Sequence, residues 1–508
     1  MLSQPKKDRI AFGSCNEQGR QNFLWPKIIA REPAAFVWGG DAIYGDEEIP
    51  WNWSKFPPQP GYVQCGTPDH LRLMYRKQRR HRGYRELLEQ NVTIFGTMDD
   101  HDYGCDNGDR TYEHKYESGL AYVDFLGLPS DSAMRQRAEQ GQGVYGVMLF
   151  DFERTDAPVV PEQQAGLDPD LPQPISPPTL SNRTVAVFVL DIRTHKTPWK
   201  QGTQAYQRDW EGDYLGETQW LWFEEAIRKS PAQVNVVVQG LQVLGSRFPN
   251  GHLAEDWVKY PNAQARLRDA LLEARGVPLL VSGDVHMAQL MRQDCRHRLS
   301  GLTFPLVEMT TSGMTHSWGT VHNRLVADPD KAYSWYELYD SMLRRTLMTI
   351  YHTVMPWNDL MVSSKDGSHE FGGGDGGKQG LQYSLQKNFG ELEFDWEARM
   401  VTMRAWGEDS SETPLLMAQQ SMDARLSAQT RLWEGAELGR LEFTSEATWT
   451  CVNHRGHDTT IEHALGHAMC LLLMLTLFPI PLLVPWCVAR LLLLQQKVPP
   501  SRVVPLYQ

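Results

Sequence analysis

Four short segments place metal-binding side chains directly after strand-like apolar runs, and they constrain the fold more than any other feature. The segments are Phe12-Gly13-Ser14-Cys15, Trp38-Gly39-Gly40-Asp41, Met98-Asp99-Asp100-His101-Asp102 and Ser282-Gly283-Asp284-Val285-His286. Thiolate, carboxylate and imidazole groups that several strands deliver to one edge of a sheet suit hard and borderline cations. The pattern predicts a metallohydrolase.

The run from Asp99 to Asp102 contains three carboxylates and one imidazole in four positions. Neighbouring anions repel one another unless a multivalent cation holds them, although an acidic surface loop is the alternative interpretation. Asp284 and His286 occupy alternate positions after an apolar run, so both side chains can point to one face of the strand end. The Asp-x-His pattern after a buried strand is typical of metal ligands.

Three further residues are weaker ligand candidates when each is taken alone. Cys15 at the end of a buried strand is more typical of a small core residue. Asp41 follows two glycines, which let the backbone approach a bound group, and its carboxylate is costly to bury without a cation or hydrogen bonds. Tyr44 can turn toward the same space, and a phenolate ligand would indicate a strongly acidic metal such as Fe³⁺.

Strand-like runs alternate with amphipathic helices through most of the chain. We predict strands at 10–12, 35–38, 92–95, 144–150, 184–190, 234–239 and 278–281, helices at 218–229 and 262–274, and a late hairpin from 391–394 and 400–405. This α/β pattern forms sites beyond the carboxyl ends of its strands. Segments 158–178, rich in Pro and Gln, and 363–380, rich in Gly, predict loop insertions.

Length, charge and cysteine content exclude some classes of protein. A chain of 508 residues is long for one domain, but a large α/β enzyme can fill it as a single unit. A net charge of -12 provides no general attraction to polyanions, so we expect no nucleic-acid partner. The cysteines allow a disulfide among Cys65, Cys105, Cys295 and Cys451 without indicating a disulfide scaffold.

Segment 468–489 carries no charged side chain and approaches the ~20 apolar residues that a membrane span needs. It predicts a single-pass C-terminal transmembrane helix, preceded by an extension at 408–467 and followed by a short tail at 490–508. Its three prolines count against a straight helix but are tolerated in spans. We therefore expect a membrane location. Basic residues after the span favour an external or lumenal catalytic part, and the absence of a signal-like N-terminus favours a cytosolic one.

Six motifs, in chain order, resemble the PhoD-like phosphatases, a branch of the calcineurin-like metallophosphoesterases. The motifs are IAFGSCN, FVWGGDAIYGD, TMDDHDYGCDNGD, VFVLDIRTHK, ETQWLWFEEAI and LLVSGDVHMAQL. The resemblance covers a catalytic domain at about 9–407. It implies an α/β fold, a four-layer α-β-β-α sandwich of two sheets with helices outside, and a site containing Fe³⁺ with Ca²⁺. A pair of other divalent metals, chosen from Zn, Mn and Mg, is the alternative.

The same resemblance implies a set of site residues. Cys15, Asp41 and Tyr44 match the iron ligands, and His101 matches a proton donor. The full set of metal-ligand candidates is Cys15, Glu17, Asp41, Tyr44, Asp100, Asn107, Asp284 and His286. The early Asp-x-His of the wider superfamily is absent from this chain, so the identity of the metals rests on the resemblance.

The predicted activity is hydrolysis of phosphate mono- or diesters, in which metal-activated water attacks phosphorus in line and His101 protonates the leaving alcohol. Arg193 is a candidate to hold a phosphate oxygen, and pairing with Asp191 or another acid is the alternative. His316 reaches the mouth of the site or serves the structure. Two other functions stay open: a phospholipid-directed phosphodiesterase, which an anchor would hold near the bilayer, and a non-catalytic membrane-anchored scaffold.

Overall fold

Short apolar runs form the central strands of two β-sheets. Ala35–Gly39, Thr184–Val189 and Val277–Ser282 are buried along their whole length, as expected of strands that are covered on both faces. The structure is a computed structural model that describes residues 8–49, 62–90, 92–154, 159–168, 178–200, 208–245, 255–320, 383–408, 413–423 and 449–453, with Met342 and Ala468 as single positions.

The strands are numbered in chain order over the described residues. They are β1 Arg9–Gly13, β2 Ala35–Gly39, β3 Glu47–Ile49, β4 Tyr62–Gln64, β5 Thr93–Thr97, β6 Gly146–Asp151, β7 Val159–Pro161, β8 Thr184–Val189, β9 Val234–Val238, β10 Val277–Ser282, β11 Ala288–His297, β12 Thr303–Thr311, β13 Tyr383–Ser384, β14 Asn388–Asp395, β15 Met400–Gly407, β16 Leu416–Ser421 and β17 Trp449–Asn453.

The helices are numbered in the same way. They are α1 Trp25–Ala30, α2 Pro68–Arg80, α3 Arg82–Leu88, α4 Asp100–Tyr103, α5 Lys115–Leu126, α6 Ala133–Glu139, α7 Glu162–Ala165, α8 Glu217–Lys229 and α9 Pro261–Glu273, with a short 3-10 helix at Trp257–Lys259.

Each large sheet combines a parallel and an antiparallel part. The six-stranded sheet has the order β16-β15-β14-β1-β2-β5, in which β1, β2 and β5 are parallel. The second sheet has the order β13-β11-β12-β10-β9-β8-β6-β7, with β17 beside β11, and its strands β8, β9, β10 and β12 are parallel. The register places Phe12 opposite Val37 in the first sheet and Val281 opposite Val238 in the second.

Helices cover the outer faces, and the sheets approach each other closely. The ring of Trp25 on α1 packs against Phe36 and Trp38 of β2, and Phe223 of α8 packs against Phe188 of β8. Between the sheets, a Cβ at Gly390 of β14 would lie 3.1 Å from Thr311 Cβ of β12, so the strands fit only with a glycine there. The observed order is helices, sheet, sheet, helices.

Every strand and helix predicted above has a counterpart within a few residues, from β1 to β15. The predicted loop at 158–178 contains β7 and α7 in its described part, and the loop at 363–380 lies outside the described residues. Beyond the predicted domain boundary at 407, β16 pairs with β15 and β17 pairs with β11. The boundary itself stays a prediction.

The predicted transmembrane helix at 468–489, and the membrane location inferred from it, are wrong. Among the described residues no helix is long and apolar enough to cross a membrane, and of this segment only Ala468 is described. The absence of charged side chains is required of a membrane span but does not by itself establish one. Pro479, Pro481 and Pro485 each lack the N–H that a helix needs, so an uncharged run is not by itself evidence of one long helix.

Two disulfides link the four cysteines for which the sequence allowed pairing. Cys65 pairs with Cys105, and Cys295 of β11 pairs with Cys451 of β17. The first disulfide joins the segment that precedes α2 to the segment that follows α4. Within the described residues Cys15 is the free cysteine, and it is buried.

Candidate metal centre

The carboxyl ends of strands from both sheets meet at one edge. Cys15, Asp41 and Asp100 come soon after β1, β2 and β5 of the first sheet, whereas Asp284 comes soon after β10 of the second. The two edges lie in direct contact, because a Cβ at Gly283 would fall 2.5 Å from the carbonyl oxygen of Gly39. Strand ends that lie far apart in the chain therefore share one site, as the α/β pattern predicts.

Five of the predicted ligand residues have backbone angles in the left-handed region. Their φ angles are 54° at Cys15, 50° at Asp41, 54° at Asn107, 63° at Asp284 and 53° at His286. In the described part of the chain only Glu32 and Arg399 share this property among non-glycine residues. The conformation is costly for side chains with a Cβ, and it clusters at sites where function requires it. Backbone strain therefore collects where the sequence predicts ligands.

Asp41, Asp100 and His101 form the core of the site. Each offers one ligand atom, and these atoms all lie within 4.8 Å of one another. The Asp41 side chain is 1% exposed, and its Oδ1 has no hydrogen-bond partner among the described residues. Burial and the neighbouring carboxylates of Asp100 and Asp99 raise the pKa of Asp41 well above its usual range, although His101 opposes this shift.

A cation fits this arrangement. An unpartnered carboxylate oxygen in a buried position is destabilising unless a positive charge compensates it. The two carboxylates are ligands that divalent and trivalent metals accept, and the imidazole of His101 lies beside them. Asp100 is already compensated in part: although burial raises the pKa of Asp100, His101 and Arg193 lower it more, and it falls below its usual value. Asp41 is therefore the carboxyl group whose ionised form depends most on a bound cation.

Cys15 lies beside this core. Its Sγ is 3.4 Å from Asp41 Oδ2 and 3.0 Å from the hydroxyl oxygen of Ser312. Burial, then Asp41 and Asp284, raise the pKa of the Cys15 thiol, so without a cation it stays protonated. Asp284 thus lies close enough for its charge to raise the pKa of Cys15, and it also raises the pKa of Asp99. A bound metal would favour the thiolate, because coordination competes directly with the proton.

The phenol of Tyr44 lies between two imidazoles. Its oxygen is 3.1 Å from His286 Nε2 and 3.0 Å from His316 Nε2. The ring of His101 packs against the Tyr44 ring at a tilt of 31°, with 4.0 Å between centroids. Burial, Cys15 and Asp41 raise the pKa of Tyr44 well above its usual value, so the phenol is neutral unless a cation binds.

Glu17 and Asn107 lie at the edge of the predicted ligand set. The Glu17 carboxylate pairs with Arg20, while its backbone N–H donates to the Thr315 hydroxyl at 2.9 Å. Asn107 has an exposed side chain, and its backbone N–H donates to Asp100 Oδ2 at 2.8 Å. The structure therefore brings the backbone of Asn107, rather than its side chain, to the core.

Arg193 lies behind the site, where it is completely buried. Its guanidinium pairs with Asp99 and Glu255, and one nitrogen lies 3.9 Å from Asp100 Oδ1. Its backbone N–H donates to Asp191. Lys196 joins the same network through Glu255. Of the two interpretations offered for Arg193, these contacts favour pairing with acids.

Three contacts of the site were not assigned by the sequence reasoning. Asp46 accepts from His101, Ser312 contacts Cys15, and Glu255 pairs with Arg193. Asp46 lies inside one of the quoted motifs, and that position was a usable signal. Ser312 and Glu255 have no comparable signal, since only the tertiary fold brings them to the site.

Comparison with known proteins finds a family match over one part of the chain. A family model described as PhoD-like phosphatase matches residues 182–339. A solved structure of PhoD is similar to the chain at 13% identity, with a TM-score of 0.40, and the alignment covers 92% of this chain and 78% of that one. No curated protein matches the chain. The match at 182–339 includes Arg193, Asp284 and His286, and it confirms the resemblance of this chain to the PhoD-like phosphatases.

Proposed function

We propose that the chain is a metal-dependent hydrolase of phosphate monoesters or diesters. The observation that carries the proposal is the cluster of Asp41, Asp100 and His101, with a buried and unpartnered oxygen on Asp41. Asp284 and His286, which lie within the stretch that the PhoD-like family model matches, would add ligands from the second sheet. A phosphoesterase needs such a concentration of ligands, whereas a purely structural core has no use for it.

The residues that would hold the cations come from the four segments that follow β1, β2, β5 and β10. Cys15, Asp41 and Tyr44 would hold Fe³⁺, as the resemblance implies, and Asp100, Asp284 and His286 complete the main ligand set for this cation and for Ca²⁺. A Zn, Mn or Mg pair is the alternative. When bound, such cations neutralise charge on phosphate oxygens and make water a stronger nucleophile. Glu17 and the side chain of Asn107 lie at the rim of the site, so we propose that they contribute less to metal binding than the other candidates.

His101 is the proposed proton donor to the leaving alcohol. Although burial lowers the pKa of His101, Asp100, Asp41 and Asp46 raise it more, and the result is well above its usual value. The imidazole is therefore charged near neutral pH and has a proton to give. Its Nδ1 is held by Asp46, which leaves Nε2 as the nitrogen that can face the ester.

Arg193 contributes through the carboxylates that it pairs with. It holds Asp99, which directly precedes Asp100 and His101, and Glu255 holds Arg193 from the other side. A direct contact from the guanidinium to phosphate would require breaking a fully buried ion pair, which is costly. We therefore propose that Arg193 positions the loop after β5.

The test is hydrolysis by the full chain after removal of metals with a chelator. p-Nitrophenyl phosphate and bis(p-nitrophenyl) phosphate are compared, with Fe³⁺ and Ca²⁺ or with Zn²⁺, Mn²⁺ or Mg²⁺ added back. We expect turnover only with metal, and a loss of at least ~100-fold in Asp41→Asn, because several kcal/mol of transition-state stabilisation depend on the cation. Asp124→Asn, which changes an exposed acid, is the matched control.

Absence of turnover of both esters with every metal, with no difference between Asp41→Asn and the unaltered chain, would overturn the proposal and favour a non-catalytic role. The phospholipid-directed alternative depended on the membrane anchor, so we do not retain it.

A further inference from the structure

The loop that follows β12 is attached to the residues that follow β1. The backbone N–H groups of Met314 and Thr315 donate to the carbonyls of Ser14 and Cys15 at 3.1 and 3.4 Å. Gly313 turns the loop with a φ of 95°, and a Cβ there would lie 2.6 Å from the carbonyl oxygen of His316. These contacts hold His316, which is 5% exposed, on the side of the site where Cys15 lies.

His316 and His286 come from different loops and converge on one phenol. The two Nε2 atoms lie 3.0 and 3.1 Å from the Tyr44 oxygen, and the two imidazole centroids are 4.4 Å apart. Two ligand atoms that each lie about 2.1 Å from one ion, at roughly a right angle, are about 3.0 Å apart. The observed separations are those of neighbouring ligands of a single ion.

We propose that His316 is a ligand of the cation that Tyr44 holds, so that imidazoles from two loops flank the phenolate. This inference rests on the proposed function, because it adds a ligand to the same site. The phenol proton of Tyr44 passes to solvent when the cation binds, as is usual for metal ligands. An oxygen and two nitrogens form a donor set that suits Fe³⁺ or Zn²⁺ better than Ca²⁺.

A hydrogen bond to Tyr44 would explain the same distances without any metal. The phenol has one proton, so it donates to one imidazole and accepts from the other. The two explanations differ in what can replace His316. Glutamine can exchange hydrogen bonds with the phenol, but an amide is a poor ligand for Fe³⁺ or Zn²⁺. His316→Gln should therefore behave like the native chain if only hydrogen bonding matters.

The experiment measures the equilibrium affinity of the metal-free full chain for Fe³⁺ and for Zn²⁺, and the visible phenolate-to-iron absorption of the Fe³⁺ form. The variants are His316→Ala, His316→Gln and, as a control that removes an imidazole elsewhere, His114→Ala. Circular dichroism verifies that each variant is folded. We expect His316→Ala and His316→Gln to bind at least roughly tenfold more weakly and to shift the absorption, and His114→Ala to match the native chain.

Each outcome decides the question. Native affinity and absorption in both His316 variants would overturn the inference and leave the phosphatase proposal in place. Recovery in His316→Gln alone would also overturn it, in favour of hydrogen bonding. Failure of the unaltered chain to bind either metal would overturn the ligand inference, and the phosphatase proposal would then be decided by the hydrolysis assay with Mn²⁺ or Mg²⁺. Weakened binding in both His316 variants, in a chain that hydrolyses no ester, would support the ligand and reject the phosphatase.

Discussion

The Nδ1 atom of His101 lies 2.7 Å from a carboxylate oxygen of Asp46. The pair is largely enclosed, with side-chain exposures of 18% and 5%. Because a carboxylate accepts from the ring nitrogen nearest to it, the contact fixes which nitrogen faces the rest of the site. Asp46 thus orients the imidazole of His101 and also stabilises its protonated form.

Asp46→Asn should separate these two contributions. Asparagine can still accept from Nδ1, but it lacks the charge that raises the pKa of His101. The pKa should fall, and His101 must be protonated to act as an acid, so the decline of kcat at high pH should begin at lower pH. We also expect a loss of about 10–100-fold at the optimum. A pH profile of kcat measures both effects, and an unchanged alkaline limb would contradict the role of His101 as proton donor.

Asp41→Asn should weaken the response to metal without weakening the metal-free fold. The carboxylate is buried and its pKa is raised well above the usual range, so its charge destabilises the fold in the absence of a cation. Thermal unfolding with and without metal provides the measurement. The unaltered chain should gain about 2.7 kcal/mol at a metal concentration 100 times Kd. The variant should lose this gain while its metal-free Tm stays equal or rises. A large fall in metal-free Tm would contradict the argument.

Gly40→Ala should reduce activity more than its effect on stability explains. Gly40 has a φ of 95°, and a Cβ there would lie 2.5 Å from Asp99 Cβ, beside Asp41 and Asp100. Gly127→Ala is a matched control with a φ of 72° and its nearest contact 3.7 Å away. Both variants should lose about 1–2 kcal/mol from the left-handed conformation. Only Gly40→Ala should also lose hydrolysis and metal affinity, and equal losses in both variants would count against the close fit of Gly40 to Asp99.

Glu308→Gln should alter the pH dependence of stability. Glu308 on β12 is completely buried and accepts from the N–H groups of Val243 and Leu244 at 2.9 and 2.7 Å. Burial raises its pKa from 4.5 to about 7. The folded chain therefore binds more protons than the unfolded chain between these values, and the free energy of unfolding falls as pH rises.

At 1.36 kcal/mol per pH unit the contribution of Glu308 changes by about 3 kcal/mol over this interval. Glutamine can still accept from both N–H groups but does not titrate. Denaturant unfolding at pH 4.5 and at pH 7.5 should show Glu308→Gln gaining about that amount relative to the native chain at the higher pH. A difference that stays constant with pH would show that Glu308 does not titrate in this range.

The two disulfides should differ in their importance for the site. Cys105 lies just after α4, its backbone N–H donates to the Asp100 carbonyl at 3.0 Å, and the neighbouring Gly66 N–H donates to Gly104 at 2.7 Å. Replacing either cysteine pair with serines should reduce the free energy of unfolding by about 2–4 kcal/mol. Only the Cys65 and Cys105 double variant should also weaken metal binding. Equal binding by both double variants would show that this disulfide does not support the site.

Much of the site could be predicted because its residues follow strands in the sequence. Cys15, Asp41, Asp100 and Asp284 each come shortly after an apolar run, and parallel strands bring their carboxyl ends to a common edge. The transmembrane prediction failed for a different reason. It relied on the absence of charge in 468–489, and an uncharged run with three prolines is not by itself evidence of one long helix.

The sequence by itself determined the alternation of strands and helices and the residues placed at the strand ends, since period and residue type are local properties. Only the tertiary structure decided that Tyr44 lies between His286 and His316, that Asp46 holds His101, and that Arg193 is buried against Asp99 and Glu255. These pairings join loops that lie up to 272 residues apart in the chain. They depend on how the edges of the two sheets pack together, and local sequence patterns do not predict this packing.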